Sequence, residues 1–179
     1  MADRLSPAVF IDRDGTLMQD VDYCGDPKQV AVFPGANAAL QALRRAGFKI
    51  FIITNQSGIG RGYFTETAYR AVEAEVVKQL APAVVDATYF CPHAPGEPCA
   101  CRKPAPGMVK QAAKEHGVDL ARSFFIGDKA ADVECGRRAG TRRILVRTGY
   151  GSSVGDVNAD HVADDLQEAT QWILSQTKG

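Results

Sequence analysis

Ala8-Val9-Phe10-Ile11-Asp12-Arg13-Asp14-Gly15-Thr16-Leu17 sets a short apolar run directly against two carboxylates and a Gly-Thr turn. The apolar run reads as a buried strand. Side chains two apart on an extended backbone share a face, so Asp12 and Asp14 are expected to face one small volume. One could attack while the other manages a proton. The competing reading is an acidic turn that ends a strand, since Asp and Gly are common turn residues.

Working outward, similar apolar runs recur at Lys49–Thr54, Ala87–Cys91, Ser123–Ile126 and Arg143–Val146. Helical patterns lie between and after them: Gly35–Ala46, Thr65–Leu80 with Thr65 as a cap, Pro106–His116 stopping before Gly117, Ala130–Ala139 stopping before Gly140, and Asp165–Gln176. This alternation predicts an α/β fold, a central parallel sheet covered on both faces in three Rossmann-like layers. The functional crevice of such a sheet lies at the carboxyl ends of its strands. The looser segments Gln19–Val32, Asn55–Phe64 and Pro92–Ala105 each leave a strand end and should surround the site. Thr148–Asp160 is a fourth loose segment.

The chain has 179 residues, 45% apolar and 23% charged, which suits one domain over residues 1–179. Lys+Arg and Asp+Glu both number 21, a balance that argues against a general nucleic-acid binder. Met1–Pro7 has no apolar leader core, and no apolar run approaches the ~18 residues of a membrane span. An odd number of cysteines, five, without a leader favours reduced thiols and the cytoplasm. Monomer is the expected state.

Four segments follow predicted strands in order. Asp12–Thr16 is the first. Thr54-Asn55-Gln56-Ser57-Gly58 could hold an anionic oxygen with a hydroxyl and backbone N–H groups, or could be a polar turn. Cys101-Arg102-Lys103-Pro104 could neutralise phosphate, or could be a solvated basic pair. In Gly127-Asp128-Lys129-Ala130-Ala131-Asp132, Asp128 could complete a Mg²⁺ site with Asp12, and Asp132 could equally be a helix-start acid. Each bland alternative stands alone. Together the segments bring a nucleophile, an acid, a hydroxyl, a lysine and a metal carboxylate to one sheet edge.

Cys91-Pro92-His93 and Cys99-Ala100-Cys101 supply three thiols and one imidazole within one loop, 91–101. That is a full tetrahedral set for Zn²⁺ with no open position, hence structural rather than catalytic. The clip ends next to Arg102-Lys103, so zinc could set the position of the lysine.

The four segments together resemble the haloacid dehalogenase (HAD) superfamily of phosphotransferases. Asp12–Thr16 matches its DxDGT motif, Thr54 its strand-end hydroxyl, Lys103 its lysine, and Asp128 with Asp132 its acidic pair. The second aspartate is typical of the phosphatases and mutases. The resemblance implies that Asp12 forms an aspartyl-phosphate and Asp14 serves as acid and then base. It implies that Mg²⁺ is held by Asp12, Asp128 and the backbone carbonyl of Asp14, with Thr54 and Lys103 stabilising the phosphoryl oxygens. Many members carry a cap domain. Here Asp12 and Thr54 are 42 positions apart and only 11 residues separate Cys91 from Lys103, so a capless core with a zinc-binding loop is expected.

The CPH…CxCRKP loop is shared by two groups within the superfamily, phosphatases of heptose bisphosphates and of histidinol phosphate. Asp20-Val21-Asp22-Tyr23, Thr54–Gly62 and Phe64-Thr65-Glu66 resemble the heptose group. The FQVD-like stretch of the histidinol group is missing after Leu17. By that resemblance Asp20, Val21, Asp22, Tyr23, Thr54, Asn55, Gln56, Ser57, Arg102, Lys103 and Lys129 line the site of a sugar bisphosphate. Arg61 is a further candidate for the second phosphate. A reading from another class is a non-catalytic zinc-stabilised binding module.

Overall fold

The computed structural model describes residues 5–177; the segment read for a leader begins outside them. Six strands, β1 (Ala8–Ile11), β2 (Lys49–Asn55), β3 (Ala87–Cys91), β4 (Phe124–Gly127), β5 (Arg142–Val146) and β6 (His161–Ala163), form one sheet in the order β3-β2-β1-β4-β5-β6. Every pairing is parallel. The helices are α1 (Ala36–Arg45), α2 (Ser57–Gly60), α3 (Glu66–Leu80), α4 (Gly107–His116), α5 (Ala130–Ala139) and α6 (Leu166–Gln176).

The sheet has its two faces because its strands alternate. Val9, Ile11, Ile50, Ile52, Ile126, Ile144 and Val146 pack with Leu40 and Leu43 of α1, Val72 and Val76 of α3 and Ile173 of α6. Their neighbours in sequence, Ala8, Phe10, Phe51, Ile53 and Phe125, pack on the opposite side with Met108, Val109 and Ala112 of α4 and Cys135 of α5. Both faces are therefore covered, and the central strands can be apolar throughout.

The chain runs outward from β1 through β2 to β3, then returns to the other side of β1 for β4, β5 and β6. The order reverses between β1 and β4, and the carboxyl ends of those strands flank the crevice such a reversal creates. Asp12 follows β1 and Asp128 follows β4, one on each side of it. Register ties the two ends together: Ile11 pairs with Ile126, and the Asp12 N–H donates to the Ile126 carbonyl at 3.0 Å.

One strand and one α-helix differ from the expectation. β6 has only three residues, too few to show a period, and α2 is a single turn containing two glycines. Among the described residues, the links β1–α1 and β3–α4, where a cap would be inserted, hold no helix or strand beyond one 3₁₀ turn at Pro27–Gln29. No described helix is long and apolar enough to cross a membrane.

Candidate active site

Lys103 is the centre of the site. Its Nζ donates to Asp12 Oδ1 at 2.7 Å, to the Ile53 carbonyl at 2.9 Å and lies 2.7 Å from Asp132 Oδ1. An ammonium has three N–H groups, and all three are matched. Lys103, Asp12, Asp132 and Asp128 are all buried. Burial alone would push Lys103 down; the carboxylates of Asp12 and Asp132 more than reverse this and hold it above the ordinary lysine value.

Lys103 is itself held from behind. The Asn55 side chain accepts from the Lys103 backbone N–H at 3.0 Å and donates to its carbonyl at 3.2 Å. Asn55 thus reaches from the end of β2 to fix both backbone groups of the lysine. Asp132 has two roles that the sequence offered as alternatives. It starts α5, accepting from the Lys129 N–H at 3.1 Å, and it pairs with Lys103.

The carboxylates differ electrostatically. Burial pushes Asp12 up, but Lys103 and then Lys129 outweigh it, and the net shift is downward. Burial and then repulsion from Asp12 hold Asp128 up at about 7, because its nearest cation, Lys129, is 3.5 Å away rather than 2.7 Å. Burial and Asp12 likewise raise Asp132. Oxygens of Asp12, Asp128 and Asp132 lie within 4.8 Å of one another. One buried lysine cannot neutralise three buried carboxylates, so the donor set fits a hard cation with oxygen ligands such as Mg²⁺.

The turn behind Asp12 is shaped around Asp128. Gly15 has φ +83°, and a Cβ there would stand 2.2 Å from Asp128 Oδ2. Thr148 Oγ1 donates to the Gly15 carbonyl at 2.7 Å, and the Tyr150 N–H donates to Asp128 Oδ2 at 2.8 Å. Gly15→Ala is expected to cost about 1–3 kcal/mol from the left-handed backbone alone and to displace Asp128, with activity lost. A urea midpoint equal to that of the parent protein would contradict this.

Asp14 lines the same cleft as Lys103. Its Oδ1 accepts from Arg13 Nε and Nη2 at 3.2 and 3.1 Å, and its Oδ2 accepts from Gln56 Nε2 at 2.9 Å. Arg13 is fully buried, with its guanidinium over the Tyr69 ring. Its role as the support of Asp14 was invisible in the sequence, where an arginine between two aspartates carries no sign of burial.

Asp12, Asp14, Asp20, Asp22, Tyr23, Asn55, Gln56, Ser57, Arg102, Lys103 and Lys129 line one cleft of about 300 Å³. Val21, Thr54 and Arg61, expected at the site, are not among the residues of the cleft wall. Val21 packs against the apolar core. Thr54 is fully buried, and its hydroxyl accepts from Gln56 Nε2 at 2.8 Å. Arg61 is exposed, its guanidinium over the Tyr23 ring, and is not part of the cleft wall. Cys24, Gly58 and Tyr150 also line the cleft. Tyr150 sits in a segment with no strand-end motif to announce it.

The Cys/His loop closes on itself as the spacing predicted. Cys91 Sγ is 2.9 Å from Cys101 Sγ, 3.8 Å from Cys99 Sγ and 3.4 Å from His93 Nδ1. Four ligand atoms within 4.8 Å of one another, three soft and one imidazole, fit tetrahedral Zn²⁺. Against the effect of desolvation, the Arg102 N–H, donating to Cys99 Sγ at 3.4 Å, helps hold that thiol below its usual range.

A family model described as haloacid dehalogenase-like hydrolase matches residues 9–97, and a second, HAD-hydrolase-like, matches residues 100–169. The chain is 42% identical to a D-glycero-D-manno-heptose-1,7-bisphosphate 7-phosphatase of Chlorobaculum tepidum, over 94% of each chain. It is 38% identical to a D-glycero-beta-D-manno-heptose-1,7-bisphosphate 7-phosphatase of Yersinia pestis, over 96% of this chain and 97% of the other. A crystal structure of D,D-heptose 1,7-bisphosphate phosphatase from Bordetella bronchiseptica, complexed with magnesium and phosphate, superposes with a TM-score of 0.87 at 34% identity. It covers 95% of this chain and 99% of that one.

Proposed function

The chain belongs to the haloacid dehalogenase-like hydrolases, and from that membership we propose that it removes the 7-phosphate of D-glycero-D-manno-heptose 1,7-bisphosphate. The product is the heptose 1-phosphate, a precursor for activated heptose and lipopolysaccharide, made in the cytoplasm. The observation that carries the reading is the buried Asp12–Lys103–Asp132 array beside Asp128 at the strand-order reversal, in a chain similar throughout its length to phosphatases of this sugar.

The Asp12 carboxylate attacks phosphorus in line with the leaving sugar oxygen, forming an acyl phosphate as the P–O bond to the sugar breaks. Asp14 gives a proton to that oxygen, then takes one from the water that attacks the acyl phosphate. Inorganic phosphate leaves and Asp12 is regenerated. Asp12, Asp128 and the Asp14 carbonyl would hold Mg²⁺, which when bound screens the repulsion between carboxylate and phosphate. Lys103 stays charged and fixes Asp12. Gln56 and Arg13 orient Asp14.

Arg102 and Lys129 are the cations of the cleft wall besides Lys103, and both suit the phosphate that does not react. Arg102→Ala is expected to reduce kcat/KM on the bisphosphate by at least roughly tenfold more than on a small aryl phosphate. Equal losses on the two substrates would remove its part in selectivity. The function itself is tested by kcat/KM across phosphorylated sugars and histidinol phosphate, with Mg²⁺ supplied. A preference for histidinol phosphate would move the chain to the other zinc-loop group.

The Cys91, His93, Cys99, Cys101 cluster holds one structural Zn²⁺ and ties the loop to Lys103, two residues beyond. Native mass spectrometry should find one zinc per chain. Cys101→Ser is expected to lose it and to lower turnover roughly 10–100-fold. Unchanged turnover in a folded, zinc-free variant would show that Asn55 alone positions the lysine.

A further inference from the structure

The two lysines of the site are held in opposite ways. Lys103 Nζ meets its three acceptors at 2.7, 2.7 and 2.9 Å and is buried. Lys129 Nζ lies 3.5 Å from Asp128 Oδ1, 3.5 Å from Asp20 Oδ2 and 4.0 Å from Asp12 Oδ2, and its side chain is 39% exposed. The Tyr150 ring lies beneath it, 5.1 Å from centroid to Nζ. It is attracted by all of these and tightly bonded to none.

The oxygens it faces matter. Asp12 Oδ1 is taken by Lys103, which leaves Oδ2. Asp128 Oδ2 is taken by the Tyr150 N–H, which leaves Oδ1. Lys129 stands against these two remaining oxygens. A divalent cation shared by Asp12 and Asp128 would draw on these same oxygens, and it and the ammonium would repel each other in that space.

We propose that Lys129 is a displaceable counter-ion: its ammonium neutralises Asp12 and Asp128 when the divalent ion is away, and metal binding drives it onto Asp20 and Tyr150, where it meets the substrate. The proposal rests on the reading of Asp12 and Asp128 as the metal carboxylates. It makes metal entry a prerequisite for presenting Lys129 to a phosphate. The order of binding follows, since an anion arriving first would find this lysine already engaged.

The test is calorimetric titration of Mg²⁺ alone into the zinc-containing protein at low ionic strength. Lys129→Met should bind Mg²⁺ roughly tenfold more tightly than the parent, and Lys129→Arg should stay near the parent. On the parent protein, the Lys129 side-chain resonances, assigned from the Lys129→Arg spectrum, should move as Mg²⁺ is added; this reading does not need the methionine variant to fold. Equal or weaker Mg²⁺ affinity in Lys129→Met overturns the proposal, as does a Lys129 resonance indifferent to Mg²⁺. Absence of Mg²⁺ binding in every variant, the parent included, removes the metal reading of Asp12 and Asp128 instead.

Discussion

Asp12→Asn is expected to lower turnover by roughly 10⁴-fold or more, about 5.5 kcal/mol of transition-state stabilisation, while the protein stays folded. The loss is large because the amide oxygen is too weak a nucleophile to open the phosphate ester, and no second carboxylate stands in the same place. Asp14 is turned to Arg13 and Gln56, and Asp132 is spent on Lys103. The fold survives for an electrostatic reason. Asp12 belongs to a buried group of three carboxylates, so its charge repels Asp128 and Asp132 even as it pairs with Lys103. The amide oxygen can still accept from Lys103, and Lys103 keeps Asp132 and the Ile53 carbonyl. Burst-phase kinetics and a thermal melt of the same preparation check both halves. Turnover within a hundredfold of the parent would remove the covalent mechanism.

Lys103→Met should cost stability as well as activity. It removes the buried ammonium shared by Asp12 and Asp132 and leaves the two carboxylates without the cation they close on at 2.7 Å. Breaking a buried ion pair by deleting one side costs about 3–5 kcal/mol, against a total near 5–15 kcal/mol for a typical domain. A fall of roughly 10 °C in Tm is expected on this scale. Adding Asp132→Asn to Lys103→Met removes one of the stranded charges and should recover part of the loss. Urea unfolding of the parent, the single and the double variant decides the matter. A single variant within about 1 kcal/mol of the parent, or a double variant less stable than the single, would show that Lys103 is not the keystone of the array.

The two predictions separate chemistry from architecture within one hydrogen-bonded unit. In the expected outcome Asp12 contributes reactivity and little net stability. Lys103 contributes both, since its positive charge is what allows so many acids to gather out of water.

Much of this was readable beforehand. The helices and the longer strands were legible because each buries a regular stripe or face, and burial leaves a period in the sequence. Asp12, Lys103 and Asp128 could be named because each follows a strand, and parallel strands deliver their carboxyl ends to one edge. Cys91, His93, Cys99 and Cys101 were legible because a short loop can close on one ion. Other features left no such trace. β6 is shorter than one detectable period, and α2 forms where glycines would suggest a turn. Arg13 is buried because Asp14 and Tyr69 happen to surround it. Thr54 lies behind Gln56 and Val21 packs against the core, and neither placement leaves a local trace in the chain.

The layered α/β plan, the edge at which the chemistry gathers and the residue types present there are legible in the chain alone, because periodicity and strand-end placement are local properties that it carries in order. Who holds whom emerges only in the folded molecule. Asn55 grips the Lys103 backbone from 48 positions away, Tyr150 reaches Asp128 from another loop, and Asp132 both starts α5 and pairs with Lys103. Those pairings depend on ångström-scale distances and on exclusion of water, and neither exists until the sheet has closed around the site.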